Sequence, residues 1–111
     1  MNRNKLIELF ISNLSNAVVH KILEKAINIE EIAKRYNKEI ITSWEIAKKY
    51  REKINPLDRP LPFHDIEDVK SKIINKVNAE LLSRIENNYK NIDLSLVKTI
   101  VEESLKEMNI I

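Results

Sequence analysis

Residues 5–36 read KLIELFISNLSNAVVHKILEKAINIEEIAKRY, and in this run apolar side chains recur at Ile7, Ile11, Leu14, Val18, Ile22, Ala26, Ile29, Ala33 and Tyr36. Every step is three or four residues, the spacing that lines side chains along one face of a helix. Ser12, Asn13, Ser15 and Asn16 are poor helix formers that favour turns and caps, so a break is expected near them, giving a short first helix and a long second one. The stripe lapses after Asn37. Thr42 with Glu45 three residues on has the form of a capping box, which predicts a new helix from Thr42 or Ser43 with Ile46, Ala47, Tyr50 and Ile54 on its buried face. Pro56 disfavours helical geometry in the residue before it and closes that helix by Asn55.

The stretch 55–65 contains all three prolines of the chain, Pro56, Pro60 and Pro62, and is expected to be a stiff, extended connector. Beyond it Asp65 is the expected N-cap of a long helix, with Glu67 and Asp68 in the first turn where the helix dipole favours them. Ile66, Val69, Ile73, Val77, Leu81, Ile85 and Tyr89 mark its stripe, and Asn87, Asn88 and Asn91 its end. A last helix follows Asp93, carrying Leu94, Val97, Val101, Leu105 and Met108 on one face with Leu96 and Ile100 beside them. The 111 residues therefore predict a single all-α domain. It is a small bundle of four to five helices, built as two helical hairpins (1–54 and 66–111) joined by the proline-rich connector.

Composition narrows the function classes. With 43% hydrophobic and 32% charged residues the chain can pack a core under a solvated exterior. There is no Gly, which removes the usual building block of phosphate-cradling loops and dinucleotide fingerprints. There is no Cys, which excludes disulfides, thiolate metal sites and thiol nucleophiles and fits a cytoplasmic chain. Ile, Lys and Glu enrichment fits a thermophilic source, while the abundance of Asn runs against it. No run reaches the roughly 18 uninterrupted apolar residues of a membrane span, and Met1 to Lys5 do not lead into a signal-like core, so no membrane partner is expected.

The formal net charge is +2, too small to name a partner, but its distribution is uneven. Residues 1–60 hold twelve Lys or Arg against eight Asp or Glu, and residues 61–111 hold seven against nine. Lys34, Arg35 and Lys38 precede the expected turn, and Lys48, Lys49, Arg51 and Lys53 follow it. A hairpin there would bring them, with the Thr42 hydroxyl, within reach of one phosphate backbone. The bland account of the same residues is a solvated helix face with i,i+4 pairs such as Glu30 with Lys34 and Glu31 with Arg35.

The segment IAKRYNKEIITSWEIA, residues 32–47, resembles the end of the central helix, the second loop and the third helix of the histone fold. That resemblance implies pairing into a dimer and DNA-phosphate contact through the loop's basic residue and Thr42. The same segment also resembles a helix-turn-helix, with residues 29–36 as first helix and Thr42 to Tyr50 as recognition helix.

Trp44 and Tyr50 are candidate anchors for a protein partner, since aromatics dominate interface hot spots, and equally candidates for the core. Leu61 and Phe63 either fold back over the bundle or dock against another chain. His20 and His64 lack the companions a metal site requires, and no carboxylate pair stands in an apolar setting suited to acid–base work. No metal, cofactor or catalytic residue is expected. The sequence thus points to a non-catalytic binding module, a subunit or homo-oligomer acting on or beside nucleic acid through its basic first half. The alternative is an assembly or accessory subunit with protein contacts alone.

Overall fold

The computed structural model describes residues 2–56, 59–87 and 89–111. Four helices follow one another: α1 (Arg3–Ala26), α2 (Glu30–Ile54), α3 (Phe63–Glu86) and α4 (Leu96–Glu107). Among the described residues there is no strand, so the chain is an all-α bundle. Helices of 24 and 25 residues run about 36–38 Å at about 1.5 Å per residue. The molecule measures 40 × 23 × 22 Å, so α1, α2 and α3 lie along its length.

The first helix is the axis of the bundle. Its backbone closely approaches those of α2, α3 and α4 in turn, whereas α2 closely approaches α1 alone. Phe10, Leu14, Ala17 and Val18 are fully buried, with Val69, Ile73, Val77 and Leu81 from α3 and Val97, Val101 and Leu105 from α4 in the same core. By length and composition α1 is apolar enough to cross a membrane; in the bundle it is the helix the other three cover.

The break expected near Ser12 to Asn16 is absent, and α1 runs through it. Asn13 Nδ2 donates back to the Leu9 carbonyl at 2.8 Å, and Asn16 Nδ2 reaches across to Ser43 Oγ on α2 at 2.6 Å, while the buried Ser15 Oγ has no hydrogen-bond partner among the described residues. The chain turns instead at Ile27, Asn28 and Ile29. Ile27 and Ile29 have extended backbones, and Glu30 with Glu31 then fills the first turn of α2, where the dipole stabilises acidic groups.

The turn expected between Asn37 and Thr42 is also absent. A single helix passes through it because the buried row is unbroken once small residues are counted: Tyr36, Ile40, Ser43, Ala47 and Ile54 recur in helical steps, with Ser43 and Ala47 buried against α1. Thr42 therefore caps nothing, and the loop that both resemblances place at 37–42 is helix in this chain.

The connector is shorter than expected, because α3 starts at Phe63 with Pro62 as its N-cap. Asp65 sits in the first turn and pairs with Arg3 of α1 at 2.6 Å. Residues 57 and 58 of the connector, and Asn88 at the expected end of α3, lie outside the described residues. The α3 stripe holds from Val69 to Leu81, but Ile85 and Tyr89 are exposed. Steps of four residues rotate a row by about 40° each, so a row built only of such steps winds off the core. Before α4, Asp93 Oδ1 accepts from Ser95 N and Ser95 Oγ at 3.0 and 2.6 Å, and those bonds hold its carboxyl below the usual range. Lys70 of α3 meets Glu102 of α4 at 2.9 Å; the bond raises the Lys70 pKa and lowers that of Glu102.

Continuity of α2 has a direct test. Thr42→Pro is expected to destabilise the fold by about 3 kcal/mol or more in urea unfolding, because proline in a helix interior removes a hydrogen bond and clashes with the preceding turn. An unchanged midpoint would mean that a helix begins at that residue.

Candidate nucleic-acid interface

The burial of one face of α2 on α1 fixes what the other face shows. At about 100° per residue, Arg35, Lys38, Thr42, Ile46, Lys49 and Lys53 fall within a sector about 80° wide, and all six are exposed. The row spans about 27 Å along the helix and contains no carboxylate between Arg35 and Lys53. Glu31 precedes it by one turn, and Glu39, Glu45 and Glu52 run alongside. Among the described residues, none of Arg35, Lys38, Lys48, Lys49 and Lys53 has a carboxylate within 4.0 Å. Lys34 differs, pairing with Glu30 at 3.5 Å. Lys53 also lies over the Tyr50 ring, 5.9 Å from its centroid.

Arg51 is a correction to the sequence reading. Expected among the phosphate contacts, it is fully buried and inaccessible to any ligand. Its position follows from the helical row, since residue 51 comes four after Ala47 and three before Ile54. Nε donates to the Met108 carbonyl at 2.8 Å, and Nη2 donates to the Arg59 and Asn109 carbonyls at 2.9 and 2.8 Å. Nη1 donates to the Asn55 carbonyl at 3.3 Å and to Asn55 Oδ1. All five N–H groups of the guanidinium find oxygen. Burial lowers the Arg51 pKa.

The acceptors at the far end are carbonyls that α4 leaves free as it terminates. Asn109 takes φ 57°, Ile110 N donates to Leu105 O at 2.9 Å and Asn109 N to Lys106 O at 3.1 Å, which is a Schellman ending with Asn in the usual Gly position. Ile110 is buried, and its carbonyl accepts from Leu61 N at 3.2 Å.

Of the expected protein-contact residues, Trp44 and Tyr50 are half-buried and packed on the core. Lys21 lies over the Trp44 ring, 4.3 Å from its centroid. Leu61 is a core residue with 3% exposure, so it is not available to dock another chain, while Phe63 is 77% exposed at the start of α3. The pair thus separates. The apolar spacing assigns Ile46 to the buried face and gives Ile41 no role, yet Ile41 and Ile46 are 56% and 37% exposed on α2.

Near the turn between α1 and α2, His20 Nδ1 donates to the Asn16 carbonyl at 2.7 Å and Nε2 meets the Glu39 carboxylate. The histidine thus ties the two helices together. The Tyr36 ring lies 5.5 Å from it; burial pushes the Tyr36 phenol pKa up, and the neighbouring Tyr89 hydroxyl adds to the shift. An open groove of about 700 Å³ runs beside them, lined by Leu23, Ile27, Ile32 and Tyr89 among others. His64 is exposed. Among the described residues, no three His, Asp or Glu side chains gather as a metal site would require.

No family model matches this chain, and no curated protein or solved structure is significantly similar to it.

A dicarbonyl reagent specific for arginine separates the two kinds of cation on α2. In the native protein, mass spectrometry is expected to find Arg35 modified and Arg51 protected until urea unfolds the chain. Modification of Arg51 at the rate of Arg35 would contradict the buried placement.

Proposed function

We propose that this chain is a non-catalytic helical binding module that engages nucleic acid through the outer face of α2. The observation that carries the reading is the exposed row Arg35, Lys38, Lys49 and Lys53 with Thr42 among them, which has no carboxylate within salt-bridge distance among the described residues. Cations in such a row release counterions when they meet phosphates, and the hydroxyl adds a hydrogen-bonding contact.

A second reading, an assembly or accessory subunit that contacts only protein, draws on the exposure of Phe63 and of Ile41. Under it the cations are merely solvated.

Electrophoretic shift over a salt series decides between them. Binding to nucleic acid is expected to weaken steeply with salt. The combined variant Arg35→Ala, Lys38→Ala, Lys49→Ala should flatten the log–log slope by about 0.9 for each phosphate that is no longer neutralised. Absence of any shift at low salt would remove the nucleic-acid reading and leave the protein-contact one.

A further inference from the structure

The outer face of α2 is not uniformly basic. Lys34, Arg35 and Lys38 lie toward its N-terminal end and Lys48, Lys49 and Lys53 toward its C-terminal end. Between them, over the two turns from Ile41 to Ile46, stand two exposed isoleucines, a threonine and a glutamate. By helical rotation Thr42 and Glu45 form the crest of this central stretch, with Ile41 and Ile46 on its two shoulders. Exposed isoleucines at 56% and 37% give this central stretch apolar surface that a phosphate backbone does not use. A central carboxylate would repel a phosphate laid directly against it.

We infer, resting on the reading above, that the nucleic acid is a B-form DNA duplex and that α2 lies in its major groove. The basic clusters then hold the phosphates on either side of the groove, and Ile41, Thr42, Glu45 and Ile46 face base edges.

Dimensions and chemistry agree with this placement. A major groove about 12 Å wide admits a helix about 10–12 Å across, and a straight helix tilted in it meets the phosphates of one wall toward one end and of the other wall toward the other. The helix is free to enter because its backbone closely approaches only α1. Isoleucine and the threonine methyl suit the C5-methyl of thymine, and a carboxylate accepts from the cytosine amino group. Glu45, awkward against a phosphate, has a partner among the bases.

Other nucleic acids fit less well. The major groove of duplex RNA is too deep and narrow for side chains to read. Single strands are held by stacking on exposed aromatics, but Trp44 and Tyr50 of α2 pack on the core, and the exposed Phe63 and Tyr89 lie elsewhere.

The test uses the full chain and four probes of matched length: a random-sequence DNA duplex pool, the same pool with uracil in place of thymine, duplex RNA and single-stranded DNA. The DNA duplex should bind at least about tenfold more tightly than duplex RNA or single strands. Replacing thymine should weaken binding by about fourfold for each methyl buried. The Ile41→Ala, Ile46→Ala variant, altered only at exposed positions, should lose most of that thymine discrimination while keeping its salt dependence. Equal or tighter binding of duplex RNA or single strands, or indifference to uracil, would overturn this inference and leave phosphate binding by α2 standing. No binding of any probe at low salt would remove the underlying function as well.

Discussion

The guanidinium of Arg51 is buried, no carboxylate among the described residues lies within 4.0 Å of it, and five protein oxygens complete its hydrogen bonds. Those oxygens come from three places that no helix–helix packing joins: Asn55 at the end of α2, Arg59 in the connector, and Met108 and Asn109 where α4 stops. A helix C-terminus carries partial negative charge on its free carbonyls, so a cation seated there is favoured electrostatically. A forked planar donor can reach several carbonyls at once, which a lysine ammonium on a flexible stem does poorly. The backbone bond from Leu61 to Ile110 then closes the same junction from the apolar side. The two hairpins are held in one bundle by α1 along their length and by Arg51 at this end.

This arrangement divides the basic residues of α2 into two populations. Arg51 is consumed by the fold, whereas the row from Arg35 to Lys53 is left outward on a helix whose other side is fixed. A long helix anchored along one face is rigid, and it presents its cations and its central isoleucines in a set register. Here the packing of α2 on α1 through the small residues Ser43 and Ala47 is linked to the surface offered to a ligand.

Much of the fold was legible in the periodicity of the sequence. The four apolar rows, the end of α2 at Ile54 before Pro56 and the start of α4 after Asp93 follow from spacing, proline geometry and capping. The misplaced turns have a common cause. Ser12 to Asn16 and Thr42 with Glu45 are local signals for a break, but the former includes Leu14 and Ser15, buried in the bundle, with Asn16 bonded to Ser43 of α2, and the latter lies over a buried row that continues beneath it. The real turn was hidden because Ile29 keeps the apolar step, although Asn28 followed by Glu30 and Glu31 has the composition of a helix stop and start. The site was less legible. Arg51 occupies a buried position in the row, yet its charge argued for the surface. The outward row from Arg35 to Lys53 emerges only when α2 is continuous, since a turn at Asn37 would have scattered it.

The most direct test of the Arg51 clamp is equilibrium urea unfolding of Arg51→Lys and Arg51→Ala beside the unsubstituted chain. Both are expected to lose about 3 kcal/mol or more, lysine failing to rescue despite its charge, because buried carbonyls are left without donors. An unfolding midpoint unchanged in either variant would contradict the account.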